Sequence, residues 1–384
     1  MNSRPAPRPT AQARARLPEA LLAKALRGGA ERLCAQVPAA ALWRGRRVRV
    51  VDGTSARLPD TPANQKQYPQ SKRQNKGCGF PLMRLVVLFC LASGALVAYE
   101  LGALAVAERE LWRRLWDVLA PGDVVLGDRG FCSLGELWAL ARRGIDCVVR
   151  LNARRSVGIV GVRRLGKDDW LVEWVKMKQP PKWFTPEQWA EVPQRLRVRQ
   201  VTFSVPVKGW RTERVTVATT LLDNKLWPAA ELAQLYRRRW QAELFIRDIK
   251  TTLGLEMLSC KSPALARKEL LMHLIAYNLI RALMGEAADR RGVAVGRLSF
   301  KGALDTLRQW TPLLSGCEKA ERKWMLERFL AALGAHRLPE RPGRSEPRVV
   351  KRRPKNYPLL NQPRHDFVEI PHRSRYRKSY LVLS

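Results

Sequence analysis

The chain has 384 residues, 46% of them hydrophobic, and 70 Lys and Arg against 34 Asp and Glu, a formal net charge of +36. That length allows two or three domains with a sizeable core, and the hydrophobic content excludes a purely disordered basic arm. So large a positive charge repels itself unless a polyanion neutralises it, so nucleic acid is the expected partner, with a ribosomal or chromatin-type binder or a membrane-surface protein as blander alternatives.

The seven cysteines are scattered and form no Cys-x-x-Cys pair, and none of the four histidines stands at zinc-ligand spacing from another ligand. Reduced, mostly buried thiols of a cytosolic protein are expected, and a zinc site is not. The N-terminus lacks the apolar core of a secretory signal. The longest uncharged stretch, 85–99, has Ser93-Gly94 near its centre and is too short to span a bilayer, so no membrane partner is expected and the location is cytoplasmic, on the nucleoid.

Taken in order, residues 1–16 form a Pro- and Arg-rich basic arm, and 17–37 carry helical spacing. Residues 47–54 read as a short strand ending in an Asp52-Gly53 turn. The stretches 82–90 and 95–101 read as a hairpin. An amphipathic helix follows over 103–119, with Trp112, Leu115, Trp116 and Leu119 inward. Val124, Val125 and Leu126 form a buried strand that leads into Gly127-Asp128-Arg129-Gly130-Phe131, and this order implies a right-handed crossover to a parallel neighbour, where sites form at strand carboxyl ends. Residues 134–143 read as a helix and 145–151 as a strand.

From 151 to 228 the pattern changes to short alternating runs, read as a strand-rich insertion with a turn at 206–209. It holds Trp170, Trp174, Trp183, Trp189, Trp210 and Trp227; core packing is the ordinary role for most, and Trp210, beside the turn, is the one chosen as a base-stacking candidate. Helices follow at 265–286 (with His273 and Asn278), 300–309 and 320–333, before a Pro- and Arg-rich tail whose 348–355 segment is suited to phosphate contacts.

Residues 229–253 read as one helix. At about 100° per residue, Tyr236, Arg239, Glu243 and Lys250 fall within an arc of about 60°, beside an apolar seam of Leu235, Ala242, Ile246, Ile249 and Leu253. A carboxylate held among cations at the rim of a core can stay ionised and face a groove, as a metal ligand for phosphate chemistry must. The ordinary alternative is a solvated face with an Arg239–Glu243 pair at i, i+4.

The spacing Tyr-x2-Arg-x3-Glu-x6-Lys resembles the signature of the DDE transposases of bacterial insertion sequences, in the branch named for insertion sequence four. The segment after Asp52, with Asp60-Thr61-Pro62-Ala63-Asn64-Gln65 and Tyr68-Pro69-Gln70, is similar to that family's stretch after its first Asp. Gly-Asp128-Arg-Gly-Phe is similar to its second motif. The resemblance covers about 43–286.

It implies an α/β fold: an RNase-H-like mixed-sheet core, a β-strand-rich insertion between Asp128 and Glu243, and a helical C-terminal part. The division it suggests is an arm and short helical region (1–45), the first part of the core (46–150), the insertion (151–228), the Glu243 helix and end of the core (229–292), helices (293–334) and a basic tail (335–384). Asp52, Asp128 and Glu243 would be the catalytic carboxylates and would hold two Mg²⁺ ions, with Mn²⁺ the alternative. Arg239 and Lys250 would bind phosphate, and Tyr236 would orient a phosphate or pack the helix. The implied activity is nicking at transposon ends, through a hairpin intermediate, and strand transfer to target DNA. The implied partners are double-stranded DNA and a second copy of the chain. About 45 residues precede the first strand, fewer than the end-reading domain many relatives carry. The alternative is a catalytically inactive, transposase-derived DNA-binding protein, distinguished by equal DNA affinity without metal-dependent cleavage.

Overall fold

The computed structural model describes residues 15–151, 158–204, 214–339, 362, 363 and 366. Helix α1 (Glu19–Ala35) forms where the spacing predicts a helix and buries Leu22, Leu26, Ala30 and Leu33, while Leu21 is exposed. The β-branched run at 48–51 opens the central strand β1 (Val48–Arg57), and α2 (Pro62–Gln67) follows, capped by Thr61 accepting from Asn64 N–H. The apolar run β2 (Leu82–Cys90) pairs antiparallel with β1 and returns as β3 (Leu96–Ala103). Gly94 makes the turn between them at φ +70°, and a Cβ there would lie 2.0 Å from the Arg281 guanidinium.

Helix α3 (Glu108–Arg114) leads to β4 (Val124–Gly127), and α4 (Leu134–Arg142) to β5 (Asp146–Arg150). β1, β4 and β5 are mutually parallel neighbours, as the crossover rule predicts. Four more strands follow: β6 (Ile159–Gly166), β7 (Asp169–Val175), then, after α5 (Pro186–Ala190), β8 (Arg195–Ser204) and β9 (Arg214–Thr219). All belong to one sheet in the order β3-β2-β1-β4-β5-β9-β8-β7-β6. The first five positions, with β2 antiparallel to both neighbours, form a mixed sheet, and the strand-rich segment extends that sheet from β5.

The chain ends its described part in helices: α6 (Ala229–Arg237), α7 (Trp240–Arg247) with a π-type turn (Asp248–Thr252), α8 (Pro263–Arg290), α9 (Phe300–Gly316) and α10 (Arg322–Ala335). Alternation along the strands separates two cores. On one face Val50, Phe89, Leu126 and Val148 meet Ala242, Phe245 and Ile249 of the signature segment and Leu270, Leu274 and Tyr277 of α8. On the other, Val51, Leu88, Val125 and Val149 meet Trp112, Trp116 and Leu137. Each fully buried Leu or Phe contributes about 1.5–3 kcal/mol. Helix α8 is keyed to the β2–β3 turn by polar groups: Asn278 accepts from Leu96 N–H and donates to its carbonyl, both at 2.9 Å, and Tyr277 donates to Gly94 O at 2.7 Å.

Four expectations change. β1 does not end at Asp52-Gly53, because β2 offers an unbroken partner and the pairing runs through Asp52↔Val87 to Arg57↔Leu82. The 103–119 helix is shorter: Gly102 and Ala103 still pair with β2, α3 starts at Glu108, and Trp116–Val118 is a separate 3-10 turn, although Trp112, Leu115, Trp116 and Leu119 are buried as expected. Residues 229–253 are not one regular helix, since Arg238 and Arg239 form an overwound joint of i→i+3 bonds between α6 and α7. Edge strand β6, with Val160 and Val162 exposed, and α5 have no counterpart in the sequence pattern.

Candidate active site

The strand registers bring the two aspartates together. Val50 of β1 lies beside Leu126 of β4, so Asp52, two residues on, is level with Asp128. Gly127 lies beside Val149, so Asp128 is level with Arg150 at the end of β5. All three follow the alternation of Val50, Leu126 and Val148, which face α7. Asp128 continues β4 in extended backbone (φ −77°, ψ −176°) and caps the 3-10 turn Arg129–Phe131 by accepting from Gly130 N–H at 2.7 Å. Glu243 stands in the first turn of α7, the helix packed over β1.

Charge records the convergence. Burial pushes the Asp52 carboxyl up to about 6; the Gly53 N–H, at 2.8 Å, and the Arg239 guanidinium oppose this, while the Asp128 and Glu243 carboxylates add to it. Arg239 donates to Glu243 Oε1 at 2.9 Å. Burial disfavours its cation, yet Tyr236, Glu243 and Asp52 together hold its pKa above the ordinary value. The Tyr236 hydroxyl is pushed up to about 12, first by burial and then by Asp128, against Arg239 and Arg150. Its ring packs edge-on to Phe203 of β8 at 6.3 Å and lies under Arg239 at 5.9 Å. Asp52, Asp128, Glu243, Tyr236, Arg239 and Arg150 thus share one electrostatic neighbourhood.

Lys250 is half-buried in the π-type turn that follows α7. Trp210 lies outside the described residues, as does 348–355. Of the other tryptophans between 151 and 228, Trp174 and Trp189 are core, Trp183 packs on Trp116 and Phe184, Trp227 stacks on Trp43 at 5.1 Å, and Trp170 is the one at the surface. Arg150 escaped the sequence reading. The signal was present, since it closes the apolar run of β5 as Asp128 closes that of β4.

Carboxylate oxygens are hard donors suited to Mg²⁺ or Mn²⁺. Gathering them beside a buried acid leaves repulsion that a divalent cation relieves. Among the described residues, however, no three acidic, His or Cys groups form a ready cage. One oxygen of Glu243, Oε1, is engaged by Arg239.

Residues 43–279 match the Transposase DDE domain. The chain belongs to the DDE transposase family. Within it, this transposase is 32% identical over 322 residues to Transposase InsG for insertion sequence element IS4 of Escherichia coli (strain K12), across 82% of this chain and 70% of that one, which puts it in the insertion-sequence-four branch. The protein y4zB of Sinorhizobium fredii (strain NBRC 101917 / NGR234) is 26% identical over 166 residues, 42% of this chain and 43% of its own. Among solved structures, the piggyBac transposase synaptic complex with hairpin DNA aligns at a TM-score of 0.39 and 9% identity, over 78% of this chain and 59% of that one. No helix among the described residues of this transposase is long and apolar enough to cross a membrane.

Proposed function

We propose that this transposase nicks DNA at transposon ends and joins them to target DNA, with Asp52, Asp128 and Glu243 as the carboxylates that hold divalent metal, two Mg²⁺ ions or Mn²⁺ in their place. The observation that carries the reading is the strand register that sets Asp52 of β1 level with Asp128 after β4, beneath the α7 helix that carries Glu243. When bound, the metal would polarise the scissile phosphate and make water or a DNA 3′-hydroxyl a stronger nucleophile. The chain's own residues do the positioning. Arg239 and Arg150 present guanidinium forks to a non-bridging phosphate oxygen, with Tyr236 O–H as a third donor and Lys250 as a point charge. Asp52 is ionised above about pH 6, and Arg239, next to it, favours that form. DNA is the substrate, consistent with the +36 charge. Because cutting two ends calls for two sites, a homodimer on DNA is the working assembly.

A second reading, a DNA-binding derivative without cleavage, draws on the Arg239–Glu243 ion pair and on the lack of a ready cage among the described residues. A plasmid carrying the element's ends separates the two. Nicked plasmid with Mg²⁺ and none with EDTA supports the first; tight binding with no nicking under either condition supports the second.

A further inference from the structure

Away from the carboxylates, one cluster of reactive side chains has no part in phosphoryl transfer. Cys34 at the end of α1 and Cys90 at the end of β2 share a small apolar cluster with Leu33, Ala92 and Ala95. The two side chains pack in that one cluster, and both cysteines are free. The surroundings are electropositive. Buried Arg49 donates from Nη1 to Cys34 Sγ at 3.4 Å, while its Nε makes no hydrogen bond. Its carboxylate partner Asp123 stands 3.5 Å away and also serves Arg47 at 2.8 Å and Ala120 N–H at 3.1 Å. Arg238 lies near enough for its charge to feel Cys90, which lines a narrow cleft with room for a molecule of water's size.

Two thiols packed in one cluster beside an incompletely neutralised guanidinium favour the thiolate form of one of them. The neighbouring Cys34 thiol, Ser93 and Arg49 draw the Cys90 thiol pKa down against the effect of burial, while Cys90 and burial raise that of Cys34. An ordinary buried cysteine has neither a second sulfur nor a cation to do this.

We propose that Cys34 and Cys90 are a peroxide-sensitive thiol pair, an oxidation site whose product is a disulfide that fastens the end of α1 to the end of β2. The oxidant is hydrogen peroxide. The Cys90 thiolate attacks one peroxide oxygen, the O–O bond breaks, and hydroxide leaves, giving the sulfenic acid. Cys34 sulfur then attacks Cys90 sulfur, the S–O bond breaks, and the hydroxyl departs as water with the Cys34 proton. The two sulfurs are oxidised by two electrons in all, and the peroxide is reduced to two waters.

The test uses the unmodified full chain. It is treated with near-stoichiometric hydrogen peroxide, quenched with catalase, alkylated with a maleimide in denaturant and mapped by peptide mass spectrometry. The expected product is a Cys34–Cys90-linked peptide, with Cys78, Cys132, Cys147, Cys260 and Cys317 alkylated, reversed by dithiothreitol and accompanied by a higher Tm. In Cys34→Ser, a 1,3-dione probe should label Cys90 as the trapped sulfenic acid. Absence of the linked peptide while circular dichroism shows the chain folded, or oxidation of the other five cysteines at the same rate, overturns the proposal.

Discussion

At the scale of single residues, Asp52 carries two predictions of opposite sign. Its carboxyl is raised from an unfolded value of 3.8 to about 6, so between those pH values the metal-free folded chain holds more protons than the unfolded one. Stability therefore falls as pH rises through that window. Asp52→Asn, which cannot ionise, should gain stability over the parent at pH 7 and lose that advantage below pH 4, as read from paired urea titrations. Metal binding needs the ionised form, so Mn²⁺ affinity, followed by electron paramagnetic resonance, should climb through about pH 6 and then level off. Arg239 makes a different demand. Arg239→Lys keeps charge but loses the fork, so nicking should drop less than in Arg239→Gln, whereas equal losses would mean that geometry alone counts.

At the scale of elements, the signature segment shows what periodicity can and cannot tell. The apolar seam was legible: Leu235, Ala242 and Ile249 are each at most 2% exposed. Of the polar stripe beside it, Tyr236 is buried in the core, while Arg239 and Glu243 pair with each other. The phase of that stripe beyond Glu243 was not legible, because the π-type turn Asp248–Thr252 departs from 100° per residue. Ile249→Ala should cost about 2–5 kcal/mol in urea melts and loosen the helix that presents Glu243. The continuation of the sheet beyond β5 rests on a buried pair that no local pattern announces. Arg199, 0% exposed, makes a two-point ion pair with Asp169 at 2.7 and 2.8 Å and donates to the carbonyls of Leu221, Asp223 and Trp227. Arg199→Ala leaves that carboxylate buried and uncompensated, and a loss of about 3–5 kcal/mol is expected. A loss under about 1 kcal/mol would show that the strands hold without it.

At the scale of the whole molecule, the β2–β3 hairpin and the parallel crossover to β4 were legible in apolar runs and turn residues, while the mixed-sheet core was an expectation from the family resemblance. The single nine-stranded sheet was not legible, since pairing β9 with β5 is a long-range choice. Charge acts at this scale too. Removing residues 340–384 should weaken binding to all DNA sequences and flatten its salt dependence by about 0.9 in log–log slope for each phosphate the tail had neutralised; an unchanged slope would deny the tail that role. Catalysis as proposed stands on three carboxylates acting through shared metal. Its most direct measurement is Mg²⁺-dependent nicking of a plasmid carrying the element's ends by Asp52→Asn, Asp128→Asn, Glu243→Gln and the triple variant, each checked for folding and DNA binding. Groups that act as a unit give non-additive losses, so each single change should abolish nicking almost as fully as all three together, with DNA binding kept. Substantial nicking by any one of the folded single variants would contradict the shared-metal mechanism.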